Sequence, residues 1–387
     1  MAICLYNVAE INKRLGDQLR YTKFNNESLS LLGMGIMRMP QEGEGWDNPI
    51  IYDQSEEIID YCMAQGINYY DTATIYYKGG SETFLGGALS KYPRDSFYVA
   101  DKYNLEAEPD FRLQFQEQLE RLKMDRIDFY LLHGISDGNV SEYLSNGCIE
   151  YFLEEKKNGR IKYLGFSFHG TPDSLRQIIP RHQWDFAMIQ LNYYDWYHGC
   201  AKEQYELLAK NDIPIMVMEP VYGGKLAELT EEAKAILLEA EPNKSIASWA
   251  LRFVMALPGV SVVLSGMSSL EQVKDNVATF DEYKELSEND KELLKKASTL
   301  LVKSIGALCT SCRYCSDCPK GLDIPDLLSA YNEYKAGGDW RLKRLKVLPK
   351  EKRPEACTRC GLCVHHCPQN LDIPKYIEEM VEKIKEI

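Results

Sequence analysis

The sequence predicts an α/β protein, a (β/α)8 TIM barrel followed by a small, mostly α-helical domain. From residue 31 to about residue 264, eight short β-rich runs alternate with longer segments whose apolar residues recur every three or four positions. Such alternation predicts parallel strands joined by helices, and eight units suggest a closed barrel. Near residue 303 the composition changes to a cysteine-rich segment. We therefore divide the chain into a barrel domain, 1–303, and a second domain, 304–387.

The predicted strands are short and rich in β-branched and aromatic residues. They are LLGMGI (31–36), GINYYD (66–71), SFYVAD (96–101), DFYLLH (128–133), YLGFSF (163–168), FAMIQL (186–191), IPIMVME (213–219) and VSVVLSG (260–266). The segments between them, such as DFRLQFQEQLERLKM, have the spacing of amphipathic helices, and several end at or near glycine. A doubly wound open sheet is the alternative, but no G-x-G-x-x-G follows a strand to support it.

Unusual polar residues fall at the carboxyl ends of these runs, where a parallel barrel builds its site. They are Asp71, Lys102, His133, Ser167 and Gln190. We expect their side chains to converge at one mouth of the barrel.

Charge and composition exclude several classes of function. The 387 residues carry a formal net charge of -13, which argues against nucleic acid and against an anionic membrane surface as partners. No apolar run is long enough to span a membrane, and the first residues, MAICLYNVAEINKRLG, carry charges where a signal peptide needs an apolar stretch. We expect a cytoplasmic protein.

Eight of the twelve cysteines lie between residues 309 and 367, in two motifs that each end in Cys-Pro. The first is CTSCRYCSDCP and the second is CTRCGLCVHHCP, whose C-x2-C-x2-C-x3-C-P spacing is that of bacterial ferredoxins. Four thiolates also suit zinc, but two consecutive tetrads ending in Cys-Pro favour two 4Fe-4S clusters. The fourth cysteine of each motif then reaches the other cluster, which groups Cys309, Cys312, Cys315 and Cys367, and separately Cys357, Cys360, Cys363 and Cys318.

The phrases CPKGLDIPDLL and CPQNLDIPKYI repeat and look helical, so the second domain resembles an α-helical ferredoxin. Residues 335–353 concentrate basic side chains in an otherwise acidic protein. They are either a solvated helix face or a docking patch for an acidic one-electron carrier protein.

The barrel resembles the aldo-keto reductase family over roughly residues 28–285, in the subgroup that carries such a tail. The stretch INYYDTATIYYKGGSE matches the family's Asp-Thr-Ala-x-x-Tyr motif, and ADK (100–102) and FYLLHG (129–134) match two further motifs. The resemblance implies that a small carbonyl or alcohol substrate exchanges a hydride with NADP or NAD. The implied catalytic residues are Asp71, Tyr76, Lys102 and His133.

Elementary chemistry supports the same roles for these four residues independently of the family resemblance. Carbonyl reduction needs an acid, and a free tyrosine with a pKa of about 10 is a reluctant one near neutrality. The Lys102 ammonium can stabilise the Tyr76 phenolate, with Asp71 holding that ammonium in place and His133 orienting the carbonyl. A plain ion pair at the barrel mouth, packing tyrosines and a structural histidine are the alternatives.

The resemblance also implies a set of cofactor contacts. Ser167 and Gln190 would bind the carboxamide, and His169 could substitute for the usual asparagine, whose position Phe168 occupies. Met37 would lie where the chain passes the cofactor, and Met218 replaces the aromatic residue that stacks on the nicotinamide. Basic residues that many members place on the 2′-phosphate fall at Gly266 and Gln272, so NADP and NAD both stay open. The remaining implied contacts are Pro220, Gly223 and Gly224 at the pyrophosphate, and Gly266, Ser268, Gln272 and Asn276 at the ribose phosphate and adenine.

Two functions of different classes fit these observations. The first is an NAD(P)-dependent oxidoreductase whose clusters pass electrons. The second is a nucleotide-binding redox sensor or scaffold without turnover. A complete set of Asp71, Tyr76, Lys102 and His133 favours the first, because a binding module has no need of a tuned acid.

Overall fold

The computed structural model describes residues 19–43, 48–304, 306–335 and 342–386. The chain forms two compact units. The first runs to Val221 and resumes at Ala247–Ser287, and the second consists of Tyr222–Ile246 and Glu288–Ile387. The division at residue 303 stays a prediction about domains. Within the described ranges, none of the helices has both the length and the apolar character that a membrane crossing requires.

The first unit is a closed barrel of eight parallel strands, which confirms the predicted fold class. Each predicted run overlaps one strand of the barrel, and three of the strands extend beyond their runs. Register pairs such as Gly35 with Asp71 and Gln190 with Met218 align the carboxyl ends of neighbouring strands. The strands are β3 (Leu32–Gly35), β4 (Tyr69–Asp71), β5 (Tyr98–Tyr103), β6 (Ile127–Ile135), β7 (Ile161–Phe168), β8 (Phe186–Gln190), β9 (Ile215–Met218) and β10 (Val260–Ser265).

A hairpin precedes the barrel and was not predicted from the sequence. It pairs β1 (Tyr21–Phe24) with β2 (Glu27–Ser30) in antiparallel register. The Phe24 ring packs edge-on against the rings of Phe129 and Tyr163, at centroid distances of 5.3 and 4.9 Å. The hairpin therefore contributes to the apolar core inside the barrel.

The helices of this unit pack apolar faces on the barrel, as the spacing of their apolar residues predicts. In Phe111–Leu122, the Asp110 carboxylate accepts hydrogen bonds from the backbone N–H groups of Arg112 and Leu113, which fixes where the helix begins. The helices are α1 (Tyr52–Ala64), α2 (Gly80–Leu89), α3 (Phe111–Leu122), α4 (Val140–Tyr143), α5 (Cys148–Lys157), α6 (Pro172–Ile178), α7 (Tyr193–His198), α8 (Ala201–Lys210), α10 (Ile246–Met255) and α11 (Leu270–Asp281).

The second unit is mostly helical and has a core of its own. That core includes Leu327, Leu328 and Tyr331 from one helix and Ile377 and Met380 from another. The helices of this unit are α9 (Glu231–Ala240), α12 (Glu288–Ser304), α13 (Ile324–Lys335), α14 (Leu362–His365) and α15 (Ile373–Glu386). Both LDIP phrases lead into a helix, as predicted.

Candidate active site and cysteine centres

Asp71 and Lys102 form a buried ion pair at the carboxyl ends of β4 and β5. Lys102 Nζ lies 2.6 Å from Asp71 Oδ1 and donates a second hydrogen bond to the Thr72 carbonyl oxygen, also at 2.6 Å. Burial raises the pKa of Asp71, and the Lys102 ammonium opposes that rise. Asp71 Oδ2 has no hydrogen-bond partner among the described residues. The pair therefore fixes a positive charge inside the barrel mouth.

Tyr76 lies on the turn that follows β4, and its ring faces that charge. Its ring centroid is 5.2 Å from Lys102 Nζ, and its side chain is only 7% exposed. The next two residues, Tyr77 and Lys78, have positive φ angles of 51° and 53°, which turn the chain sharply. The Tyr77 hydroxyl donates to the Met39 carbonyl oxygen at 2.9 Å. Of these two adjacent tyrosines, only Tyr76 is therefore beside the ion pair.

His133, near the end of β6, completes the group of four. Its ring is perpendicular to the Tyr76 ring, with centroids 6.1 Å apart. Burial lowers the pKa of His133 well below its ordinary value, and electrostatic interactions with Lys102 and His169 lower it further. The imidazole is therefore neutral near pH 7. The structure brings together all four residues proposed for catalysis.

A buried polar network behind these residues was not predicted from the sequence. Gln118 Nε2, on α3, donates to the Lys102 carbonyl oxygen and to Thr74 Oγ1, both at 2.8 Å. Ser81 Oγ lies 2.8 Å from Thr72 Oγ1, and Glu82 accepts from Thr74 Oγ1 at 2.8 Å. Ser81 and Glu82 belong to the quoted motif and could have been found, but the sequence gives no signal for Gln118.

Ser167 and His169 lie at the end of β7, beside His133. Ser167 Oγ accepts a hydrogen bond from the Gly134 backbone N–H at 2.7 Å, which leaves its own proton free to be donated. Burial lowers the pKa of His169 to about 4, and its Nδ1 has no hydrogen-bond partner within the described ranges. These polar atoms suit the carboxamide of a nicotinamide, which is both a donor and an acceptor.

Gln190 is held by a carboxylate that the sequence reading did not identify. Its Nε2 donates to Asp195 Oδ2 at 2.7 Å, and Asn192 Nδ2 donates to the same oxygen at 2.8 Å. Asn192 Nδ2 also donates to the Glu219 carbonyl oxygen at 3.1 Å, which joins the ends of β8 and β9. Burial raises the pKa of Asp195 to about 6. A polar residue five positions after Gln190 was the only available signal.

The other implied cofactor residues of the barrel are spread around its mouth. Met37 and Met218 are partly buried, and Pro220 is buried. Exposed Gly266 lies beside Arg38, because a Cβ added to Gly266 would be 3.5 Å from the Arg38 side chain. The basic side chain of Arg38 therefore lies next to Gly266, a position at which many family members have a basic residue.

The three residues that begin and line α11 are engaged with their own neighbours. Gln272 Oε1 accepts from the Ser268 backbone N–H at 2.7 Å. Asn276 Nδ2 donates to Ser265 Oγ at 2.8 Å and is largely buried. Ser268 is exposed, whereas Asn276 has little surface to offer a ligand.

Gly223 and Gly224 belong to the second unit, on the chain that follows β9. Both have positive φ angles, of 61° and 94°, which glycine adopts readily. A Cβ on Gly223 would lie 2.6 Å from the Thr310 carbonyl oxygen, and the Tyr222 hydroxyl donates to the Leu308 carbonyl oxygen at 3.2 Å. This loop therefore packs closely on the start of the first cysteine motif.

Tetrad A comprises Cys309, Cys312, Cys315 and Cys367, and the structure places these thiols together. Burial raises the pKa of Cys315, and the neighbouring thiols of Cys312, Cys309 and Cys367 raise it further. The fourth member comes from the second motif, as the ferredoxin spacing implies.

Tetrad B comprises Cys318, Cys357, Cys360 and Cys363, and these four thiols line one cavity. Burial raises the pKa of Cys363 to about 11, with Cys357, Cys318 and Cys360 adding to the rise. Here the fourth member comes from the first motif, whose spacing is one residue shorter.

The two motifs share one backbone conformation. The N–H of Ser311 points at Cys309 Sγ, and that of Arg359 points at Cys357 Sγ, both at 3.4 Å. Positive φ angles recur at matching positions, at Ser311 and Arg313 in one motif and at Arg359 and Gly361 in the other. Converging thiols with N–H groups directed at sulfur fit a metal–sulfur group in each tetrad.

Comparison with known proteins agrees with both parts of the chain. Residues 31–298 match the model of the aldo/keto reductase family, and residues 308–371 match that of the 4Fe-4S dicluster domain. An uncharacterized oxidoreductase of Bacillus subtilis, YqkF, is 26% identical over 309 residues, which are 70% of this chain and 95% of that protein. The NADH-specific methylglyoxal reductase of Escherichia coli is 23% identical over 322 residues, or 71% of this chain and 96% of that protein.

A solved structure extends the agreement to the fold. The holo form of aldo-keto reductase AKR11C1 from Bacillus halodurans has a TM-score of 0.60 and 26% identity, and the match covers 72% of this chain and 96% of that one. The family match spans more than half of the chain and includes the strands that carry the four buried site residues. The chain therefore belongs to the aldo/keto reductase family and carries a 4Fe-4S dicluster domain in its C-terminal part.

Proposed function

We propose that the barrel is an NAD(P)-dependent oxidoreductase that interconverts a small carbonyl compound and an alcohol. The observation that carries this proposal is that the Tyr76 ring lies close to both the buried Lys102 ammonium and a neutral His133. A sensor or scaffold without turnover would not need a buried charge facing a phenol.

Each residue has a distinct part in the proposed chemistry. The bound nicotinamide supplies the hydride. Tyr76 gives its proton to the carbonyl oxygen, because the Lys102 charge stabilises the phenolate that remains. Asp71 keeps the ammonium in place through the 2.6 Å contact. His133, whose pKa is lowered, is a poor acid when neutral and serves to orient the carbonyl by a hydrogen bond.

The nicotinamide is proposed to bind through Ser167, His169 and Gln190. Gln190 Nε2 donates to Asp195, and Gln190 Oε1 is the atom proposed to accept from the carboxamide NH2 group. Arg38, beside Gly266, is a candidate partner for a cofactor phosphate and favours NADP. A cytoplasmic location stays a prediction from the sequence.

Tetrads A and B are proposed to hold one 4Fe-4S cluster each, and these clusters are proposed to exchange electrons with a one-electron carrier protein. The motivation is the grouping of the eight thiols into two sets of four, each with a member from the other motif.

Replacing Tyr76 by Phe tests the proposed acid. We expect carbonyl-dependent oxidation of NADPH or NADH to fall by at least about 100-fold, the usual contribution of a general acid. Nucleotide binding, measured by the quenching of protein fluorescence, should persist. Tyr77→Phe is the matched control, because the Tyr77 hydroxyl donates to the Met39 backbone carbonyl oxygen, and this variant should leave turnover nearly intact. Equal turnover in both variants would refute the assignment of Tyr76.

Metal analysis tests the second domain. Protein purified without oxygen should contain about eight iron and about eight sulfide per chain if two cubanes are present. Cys360→Ser should remove the iron and sulfide bound by tetrad B and leave those bound by tetrad A in place. Stoichiometric zinc without sulfide would refute the clusters.

A further inference from the structure

The two tetrads differ in their access to solvent. In tetrad A, Cys315 is only 8% exposed and no member is fully exposed. In tetrad B, Cys360 is exposed, as are the neighbouring Thr358 and Arg359. Electron transfer slows steeply with distance, so a partner protein at the surface reaches the group held by tetrad B more readily.

Basic side chains lie beside tetrad B. Lys320 and Arg359 line the same cavity as its four thiols. Lys352 Nζ donates to the Gly321 carbonyl oxygen at 2.7 Å, which holds the basic segment close to Cys318. Over residues 342–353 the sequence has six Lys or Arg and one Glu, and this segment leads through Pro354–Ala356 directly into Cys357.

Carboxylates nearby cancel only part of this charge. Arg359 pairs with Glu378 at 2.5 Å, but the two side chains are 60% and 43% exposed, so the pair is weak and can be exchanged for another partner. No carboxylate of the described residues lies within ion-pair distance of Lys320. The overall charge of -13 makes this positive surface unlike the rest of the protein.

An exposed apolar side chain lies beside the same thiols. Leu362 is 37% exposed and lines the cavity together with Cys360 and Cys363. Redox partners commonly associate through a small contact in which charge guides the approach and little area is buried. An exposed leucine that lines one cavity with Lys320 and Arg359 fits a brief contact of this kind.

We propose that Lys320, Lys352, Arg359, Cys360 and Leu362 form the docking face for an acidic one-electron carrier protein, with tetrad B as the electron port. This inference rests on the proposed electron transfer and specifies where it occurs. One electron leaves the reduced carrier, which is oxidised, and the group at tetrad B is reduced by one electron. No covalent bond forms or breaks, and no proton is required.

Stopped-flow mixing of the holoprotein with an acidic flavodoxin in its fully reduced form tests the docking face. The readout is the one-electron oxidation of the flavodoxin. The second-order rate constant should fall steeply as salt is raised. In the triple variant Lys320→Glu, Lys352→Glu and Arg359→Glu it should drop by at least about 10-fold at low salt, with a flatter salt dependence. The control reverses three exposed barrel lysines, Lys157, Lys202 and Lys210, and should react like the wild type.

The possible outcomes distinguish the docking face from the proposed electron transfer on which it rests. Wild type and triple variant reacting at equal rates would overturn the docking face while leaving electron transfer intact. Wild type failing to react with flavodoxin, although dithionite bleaches its clusters, would overturn the carrier and the docking face together. Bleaching of the triple variant by dithionite at the wild-type amplitude shows that its clusters are intact, so that a slower flavodoxin reaction reports docking.

Discussion

At the scale of single residues, burial gives the polar groups of the barrel mouth their different chemical roles. Asp71 and His133 are both buried, and burial favours the neutral form of each. Asp71 has a compensating partner in Lys102, whereas the same ammonium raises the cost of a charge on His133. One cation thus holds a carboxylate, keeps an imidazole neutral and faces the Tyr76 ring. We attribute proton transfer to Tyr76 for that reason.

Asp195 provides a residue-scale prediction about pH. Its folded pKa of about 6 lies above the ordinary value of 3.8. Its contribution to stability is therefore complete below about pH 4 and is lost as pH rises through 6. Asp195→Asn is always neutral, and its Oδ1 can accept from Gln190 and Asn192 as the carboxylate does.

The thermal unfolding midpoint of Asp195→Asn should therefore rise relative to that of the wild type as pH is raised from 4 to 7. The change in the free energy of unfolding should be on the order of 2 kcal/mol for a pKa shift of this size. Comparing the two proteins at each pH cancels the titration of all other groups. A difference that stays constant over this range would show that Asp195 does not titrate there.

At the scale of secondary-structure elements, α2 and α3 pack too closely to allow a side chain at one glycine. A Cβ on Gly86 would lie 2.4 Å from the Leu122 carbonyl oxygen, whereas a Cβ on the adjacent Gly87 would meet nothing within 4 Å. Gly86→Ala should destabilise the protein by about 1 to 3 kcal/mol, as overpacking does. Gly87→Ala should instead stabilise it by up to about 1 kcal/mol, because alanine favours a helix. Thermal unfolding of the two variants measures both effects, and equal midpoints would contradict the close packing.

Elements with a strong internal period were predictable, and those that depend on distant contacts were not. The eight barrel strands follow from short apolar runs between amphipathic helices, and Asp71 and Lys102 follow from their positions at strand ends. The β1–β2 hairpin was missed because its Phe24 is stabilised by rings more than 100 residues away along the chain. Gln118 was missed for the same reason, since a glutamine on a helix gives no sign of a contact with the Lys102 carbonyl oxygen.

At the scale of the whole molecule, the cofactors proposed for the two parts of the chain carry electrons in different numbers. A nicotinamide gives up two electrons as one hydride, whereas a 4Fe-4S cluster accepts one. A flavin is the cofactor that usually splits such a pair, and no flavin signature is visible in the sequence. Barrel and clusters therefore need not exchange electrons directly.

We accordingly expect that NADPH or NADH alone does not rapidly reduce the clusters. Anaerobic, flavin-free holoprotein should keep its visible cluster absorbance for minutes after a reduced nicotinamide is added, whereas dithionite should bleach it. Adding a catalytic amount of free flavin with NADPH is the decisive comparison, because a flavin can take the hydride and return single electrons. Bleaching that requires the flavin would place the barrier at the two-to-one electron step. Fast bleaching by the nicotinamide alone would refute this expectation and would require a direct path from hydride to cluster.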